Sequence, residues 1–208
     1  MPLVTVVVPL FKTEQFVAKC LTSLADQTFR DFEVICVDDC SPDNAADIAE
    51  TFHDALPQLT VLRHDRNLGP GGARNTAIRS AKGAYIASLD SDDWVDSGFL
   101  QNLLQPILDN PDAKIDLIIA GFRRVDEGGQ EISAYRSTSK SIGHSNDFVM
   151  NDNNSVNIFG LTNPAFWNKL WRKELFAKHD VWFPNYIYYE DVKRGAILVH
   201  RSGCVLQL

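Results

Sequence analysis

Residues 3–9 read Leu-Val-Thr-Val-Val-Val-Pro, and this run limits the fold more than any other segment of the chain. β-Branched residues on both parities suit a strand buried on both faces, the mark of a parallel sheet covered by helices. The rest of the first 124 residues conforms. Phe16, Val17, Cys20, Leu21 and Leu24 recur at helical spacing. Residues 32–37 (FEVICV) read as a second strand. Ser41 and Pro42 supply a cap and a first-turn proline for a helix that runs to about Leu56 and stops at Pro57. A short strand at 60–62, a loop at 67–72 (NLGPGG) and a helix at 73–81 closed by Gly83 come next. A strand at 85–89, a helix at 98–108 and a strand at 115–122 complete the series. Strand and helix in regular succession predict right-handed crossovers and a doubly wound, mostly parallel α/β sheet with helices on both faces.

Beyond Arg124 the pattern changes. Residues 126–157 are rich in Asp, Asn, Ser and Gly and predict a long excursion, a hairpin plus a loop. Residues 163–189 concentrate aromatics, among them Phe166, Trp167, Trp171, Phe176, Trp182 and Phe183. A packed core is expected to claim most of these. A helix is predicted from Glu190 to about His200, and residues 204–208 (CVLQL) read as a strand cut short, as in a shortened chain.

Composition excludes several function classes. The 208 residues hold 20 Lys and Arg against 27 Asp and Glu, a net charge of −7 with a pI near 5.2, so the molecule as a whole repels polyanions and is not expected to bind nucleic acid. Residues 167–201 depart from this with seven basic and four acidic side chains. That +3 segment suits an ordinary solvated helix face, or a surface meeting phosphate or lipid. No apolar run approaches the ~20 residues of a membrane span. Cys20, Cys36, Cys40 and Cys204 form no CxxC pair and read as reduced, mostly buried thiols of a cytosolic protein.

The chemistry-bearing residues fall where such a sheet binds ligands, at the carboxyl ends of its strands. Asp38-Asp39 ends the second strand and Asp90-Ser91-Asp92-Asp93 the fourth. One acidic pair is ordinarily a helix cap, but two clusters on one sheet edge suggest a cation site. Oxygen-only ligands favour Mg²⁺ or Mn²⁺. The glycine loop before Ala73-Arg74-Asn75 lacks the Lys-Ser/Thr of a phosphate-binding P-loop, and it follows the third strand, not the first, which disfavours a dinucleotide site. Arg74 is in reach of a phosphate at that helix start. Glu190-Asp191 follows Tyr186-Ile187-Tyr188-Tyr189, and rings beside a carboxylate raise its pKa toward that of a general base. An acidic first helical turn explains that pair equally well.

Together these residues resemble the inverting family 2 glycosyltransferases of the GT-A fold. Residues 4–11 are similar to that family's first strand and turn, and residues 20–24 with Gln27-Thr28-Phe29 to its first helix and exit. Residues 37–43 (VDDCSPD) resemble its VDDGSxD box, with Cys40 in place of glycine, so that turn must accept a side chain. Asn67-Leu68-Gly69 with Ala73-Arg74-Asn75 resembles the NxG…ARN box, Asp90-Ser91-Asp92 the DxD motif, and residues 166–171 (FWNKLW) with Glu190-Asp191 the WNKLY and ED segments of bacterial polysaccharide members. The processive members' QxxRW box is not among these residues.

The resemblance implies a nucleotide-sugar donor, UDP-linked by preference, a glycan or lipid-linked acceptor, and Mn²⁺ or Mg²⁺. Pro9, Phe11 and Asp39 would contact the base, Asp39 accepting from the uracil N–H, with Asp38 beside it. Phe11 stands where tyrosine is common. Arg74 would lie near the diphosphate with Lys169 assisting, Asp90 would hold the ribose side or a metal water, Asp92 would ligate the metal, and Asp191 would be the catalytic base. It also implies a nucleotide-sugar-binding half at 1–124, an acceptor half of the same domain at 125–208, a cytoplasmic location and peripheral association with the inner membrane face. An inactive GT-A-like scaffold that only binds nucleotide or glycan is the alternative. A sugar nucleotidyltransferase and a phosphorylated receiver-like module are disfavoured, because both place their signatures directly after the first strand.

Overall fold

The structure, a computed structural model, describes residues 1–126, 130–135, 165–186 and 205–207. The strands are β1 (Val4–Leu10), β2 (Phe32–Asp38), β3 (Leu59–Arg63), β4 (Tyr85–Ser88), β5 (Leu117–Ile119), β6 (Phe122–Val125), β7 (Glu131–Tyr135), β8 (Lys169–Arg172) and β9 (Val205–Gln207). The helices are α1 (Val17–Ala25), α2 (Ala45–Glu50), α3 (Gly69–Ser80), α4 (Phe99–Asp109) and α5 (Glu174–Lys178). Seven strands form one sheet in the order β3-β2-β1-β4-β8-β5-β9, and β6 and β7 form a separate hairpin. The central sheet is parallel except at β8, which runs antiparallel to both β4 and β5.

β1 explains the two-sided burial. Val4, Val6, Val8 and Leu10 point into a core shared with α1, α2 and α4, while Val7 points into a second core with Ala73, Ala77 and Ile78 of α3. Period-two alternation therefore feeds helices on both faces. Gly83, before β4, is packed tightly: a Cβ there would stand 2.5 Å from the Thr5 backbone nitrogen.

Proline is unusual in a central strand, because it removes a ladder donor. Here Leu89 N–H donates to Val7 C=O and Asp39 N–H to Leu10 C=O, so odd residues of β1 face β4 and even residues face β2. The ladder with β4 ends at Val7↔Ser88. The N–H that Pro9 lacks would point past that end, where no strand waits for it.

Four local readings differ from expectation. The NLGPGG segment is helical from Gly69, because Gly72 is needed for close packing: a Cβ there would lie 2.4 Å from Leu68 Cβ. The helix expected from Ser41 to Leu56 is only Ala45–Glu50, since Ser41 and Asp43 bond to the β1–α1 loop. The strand expected at 115–122 breaks at Ala120 and Gly121, its later part entering the hairpin with β7. Lys169–Arg172, read only as part of an aromatic segment, is β8. The aromatics there do form core: Phe166 stacks on Trp171 at 5.6 Å and meets Phe183 edge-on at 4.8 Å, all three buried. The predicted helix from Glu190 lies outside the described residues.

Candidate functional site

Strand order reverses between β1, which continues outward to β2 and β3, and β4 on its other side. In open α/β sheets ligands bind in the crevice at such a switch point, beyond the carboxyl ends of the strands. Pro9 and Phe11 at the end of β1, Asp38 and Asp39 at the end of β2, and Asp90 after β4 all lie at that edge. Phe11 is 41% exposed at the rim, with Lys12 Nζ 5.3 Å from its ring centroid.

The floor beneath β2 is a closed polar network. Asp38 accepts the Ser41 N–H at 2.9 Å and so turns the chain into the next loop. Cys40 at its apex has φ 56°, the left-handed region that glycine would fill without strain. Asp39 is buried, and its Oδ1 accepts from Leu68 N–H at 2.8 Å and meets His64 Nδ1 at 2.7 Å. Asn67 Nδ2 donates to the Asp39 carbonyl at 3.1 Å. The β2–α2 loop is clipped to the β1–α1 loop: Ser41 Oγ accepts Lys12 N–H and donates to Asp43, while Asp43 accepts Glu14 N–H. Partial burial acts to raise the Asp43 pKa, but the Ser41 hydroxyl and the Glu14 and Ala45 N–H groups outweigh it and hold the carboxyl below its usual range.

The acidic loop after β4 is fastened from α1. Cys20 Sγ approaches Asp90 C=O at 3.8 Å, and Ser23 Oγ accepts Val95 N–H at 3.2 Å. The wholly buried Gln27 donates to Asp96 C=O and accepts Leu100 N–H at the start of α4. Anchored this way, Asp90, Asp92 and Asp93 bring carboxylate oxygens within 4.8 Å of one another. Desolvation in the crowded loop, then the charges of Asp92 and Asp90, push Asp93 up to about 6. Such a set is oxygen-only, strained by its own charge, and open on the side of Asp92 and Asp93, which fits a hard divalent cation.

Arg74 is buried and donates to Asp90 Oδ1 at 2.8 Å. It thus reaches the acidic loop from below. Lys169 is buried in β8, its Nζ 2.5 Å from Ala165 C=O and 2.7 Å from Asn168 Oδ1. The site therefore brings together Pro9, Phe11, Asp38, Asp39, Arg74, Asp90 and Asp92, with Lys169 held inside the β8 layer. Asp191 lies outside the described residues. The segment leading toward it is docked on α3: Asn75 exchanges two hydrogen bonds with Phe183, at 2.8 and 3.0 Å, and Tyr186 N–H donates to Leu68 C=O at 2.9 Å.

Sequence reasoning missed His64, Thr76 and Asp93. His64 stands one residue after β3, the same strand-end position as the chosen aspartates. Asp93 belongs to the same acidic run, but the DxD pattern singles out only Asp90 and Asp92.

A seven-stranded sheet flanked by helices on both faces, with an acidic rim at its switch point, is the architecture of a GT-A glycosyltransferase domain. The family described as Glycosyl transferase family 2 matches residues 5–178, and the chain belongs to it. It is 30% identical over 204 residues to the uncharacterized glycosyltransferase EpsJ of Bacillus subtilis (strain 168), covering 92% of this chain and 53% of EpsJ. It is 30% identical over 183 residues to the poly(ribitol-phosphate) beta-N-acetylglucosaminyltransferase TarS of Staphylococcus aureus (strain Mu50 / ATCC 700699), covering 86% of this chain and 29% of TarS. The crystal structure of S. aureus TarS 1–349 in complex with UDP superposes over 100% of this chain and 58% of that one, with a TM-score of 0.80 and 25% identity. The chain spans about half the length of the first curated relatives it matches.

Proposed function

We propose that this protein transfers a sugar from a UDP-sugar to an acceptor hydroxyl with inversion, building a cell-surface or extracellular polysaccharide. The observation that carries the reading is the assembly of Asp39, Arg74–Asp90 and the Asp90/Asp92/Asp93 group on one edge of the sheet. The UDP complex of TarS and its poly(ribitol-phosphate) substrate class support a uridine donor and a polymeric or lipid-linked glycan acceptor. Residues 1–124 would hold the donor and 125–208 the acceptor. β8 argues that both belong to one domain, because it completes the sheet between β4 and β5. The buried thiols of Cys20 and Cys36 suit the cytoplasm, where a lipid-linked acceptor is met at the inner membrane face. No helix among the described residues is long and apolar enough to cross a membrane.

In this reading Pro9 and Phe11 line the base site and Asp39 accepts its imino N–H. Arg74 orients Asp90, and Asp90, Asp92 and Asp93 would hold Mn²⁺ or Mg²⁺. A bound divalent ion would supply positive charge against the departing diphosphate. Lys169 braces the strand behind the sugar site and adds to the positive potential. Asp191 takes the proton from the acceptor hydroxyl as that oxygen attacks the anomeric carbon opposite the leaving group, which inverts it. Hydrolysis of a panel of sugar nucleotides would identify the donor. Asp191→Asn should abolish transfer while calorimetry shows UDP binding retained, and full activity would remove Asp191 from the role. Asp92→Ala should weaken Mn²⁺-dependent UDP binding, and unchanged Mn²⁺ dependence would dismiss it as a ligand.

A further inference from the structure

His64 has no part in the chemistry above, yet both its ring nitrogens are engaged and its side chain is only 10% exposed. Nδ1 faces Asp39 Oδ1 at 2.7 Å and Nε2 faces Thr76 Oγ1 at 2.8 Å. An ionised carboxylate accepts only, so Nδ1 must carry a proton. In a neutral ring the Thr76 hydroxyl then donates to Nε2. In an imidazolium that hydroxyl turns to the Gly72 carbonyl, 3.2 Å away. Either way the ring donates to Asp39. With Leu68 N–H also on Oδ1, that oxygen is fully occupied, and among the described residues Oδ2 has no hydrogen-bond partner.

We propose that His64 is the positioning residue for nucleobase selection: by holding Asp39 Oδ1 it fixes the orientation of the carboxylate and leaves Oδ2, which can only accept, to meet the ligand, which selects a base presenting an imino N–H and rejects one presenting a ring-nitrogen lone pair. The inference rests on Asp39 meeting the base, as read above. Uracil N3 donates and cytosine N3 accepts, so UDP and CDP differ at the one atom that Oδ2 would contact. A hydrogen bond to a charged group makes that difference worth roughly tenfold or more in affinity.

The test is calorimetry of UDP and of CDP, each with Mn²⁺, on the whole chain. His64→Asn keeps a donor in the place of Nδ1 and should keep the UDP/CDP ratio within about threefold, whereas His64→Gln lacks it there and should lower the ratio by roughly tenfold. Both nucleotides should retain their Mn²⁺ dependence in both variants, which general damage to the site would not allow. Asp39→Asn should invert the preference, since Leu68 N–H and His64 hold the amide oxygen at the Oδ1 place and turn the NH₂ toward cytosine N3. An unchanged ratio in folded His64→Gln overturns the inference. If His64→Gln does not fold, Asp39→Asn decides: a ratio near one without inversion overturns the role of His64 and leaves Asp39 at the base. A ratio untouched by Asp39→Asn overturns the base reading itself.

Discussion

Replacing Arg74 with glutamine should destabilise the metal-free protein, and the loss should depend on pH. Arg74 is the cation under a group of three carboxylates whose oxygens lie within 4.8 Å of one another. At that spacing and an effective dielectric near 20, each pair of negative charges repels by about 3.5 kcal/mol. Removing one partner of a fully buried ion pair costs about 3–5 kcal/mol. The Asp90 side chain is 31% exposed, so solvent screening brings the expected loss to about 2 kcal/mol at neutral pH. The pH dependence follows from Asp93. Its folded-state pKa is raised to about 6, above the ordinary carboxylate value near 3.8. The folded state therefore binds the proton more tightly than the unfolded chain. The stability this contributes is full below the unfolded value and is lost as pH rises through about 6. Without Arg74 the same charging meets less compensation, so the difference between variant and parent should grow over that window. Urea unfolding in chelator should show a gap of about 2 kcal/mol near pH 7.5 and a smaller one near pH 4.5. Equal gaps at both pH values would refute the electrostatic account and assign the loss to packing of the guanidinium against Phe166, 6.0 Å from its ring centroid.

Cys40→Gly should stabilise. The left-handed backbone costs a side-chain-bearing residue about 1–2 kcal/mol, and the greater unfolded-state freedom of glycine takes back part of that, leaving about 0.5 kcal/mol and a rise of 1–2 °C in Tm. A lower Tm would mean that the Cys40 thiol, 3.9 Å from Asp65 C=O, matters more than the turn. Asn75→Ala should cost about 2–4 kcal/mol, because it deletes two buried hydrogen bonds and strands the Phe183 backbone. Hydrogen exchange should lose protection at 181–186 before β1, and uniform loss would show that the amide does not hold that segment in particular.

The legible parts of the chain were those fixed by local pattern. β1, β2 and β4 announced themselves as apolar runs, the last two leading into acidic residues, and the strand at 205–207 was visible as a short apolar stretch. What escaped depends on distant partners. Gly69, Gly71 and Gly72 read as a loop because glycine opposes helix, yet Gly72 is small where Leu68 and Asn185 press on the first turn of α3. Lys169–Arg172 has no strand-like alternation because it is buried on both sides: Leu170 enters one core and Trp171 the other. Nothing in those four residues says that they pair with β4 and β5. Ser41 looks like a helix cap and instead, with Asp43, ties two loops together across 29 residues. Asp39 was found by its place at a strand end. His64 has the same place and was missed because a single histidine carries no motif.

Three consecutive residues of α3 reach three separate parts of the site. Arg74 reaches Asp90 after β4, Asn75 holds Phe183, and Thr76 meets His64 under Asp39. Successive helical residues are turned by about 100°, so they point in three directions by geometry alone. A surface helix could not use all three. α3 can because eight of its twelve residues are buried, with Ala73 and Ala77 small enough to let it lie close on the sheet. The helix therefore sets the spacing between the acidic loop, the base-side aspartate and the segment that continues to Glu190-Asp191. The same geometry makes it intolerant. A one-residue insertion before Arg74 would turn all three side chains by about 100° together and break every one of these contacts at once. Substitution of any one would leave the other two in place. The Ala-Arg-Asn-Thr run is thus a single positioning element, and its residues are constrained by phase along the helix as much as by their individual chemistry.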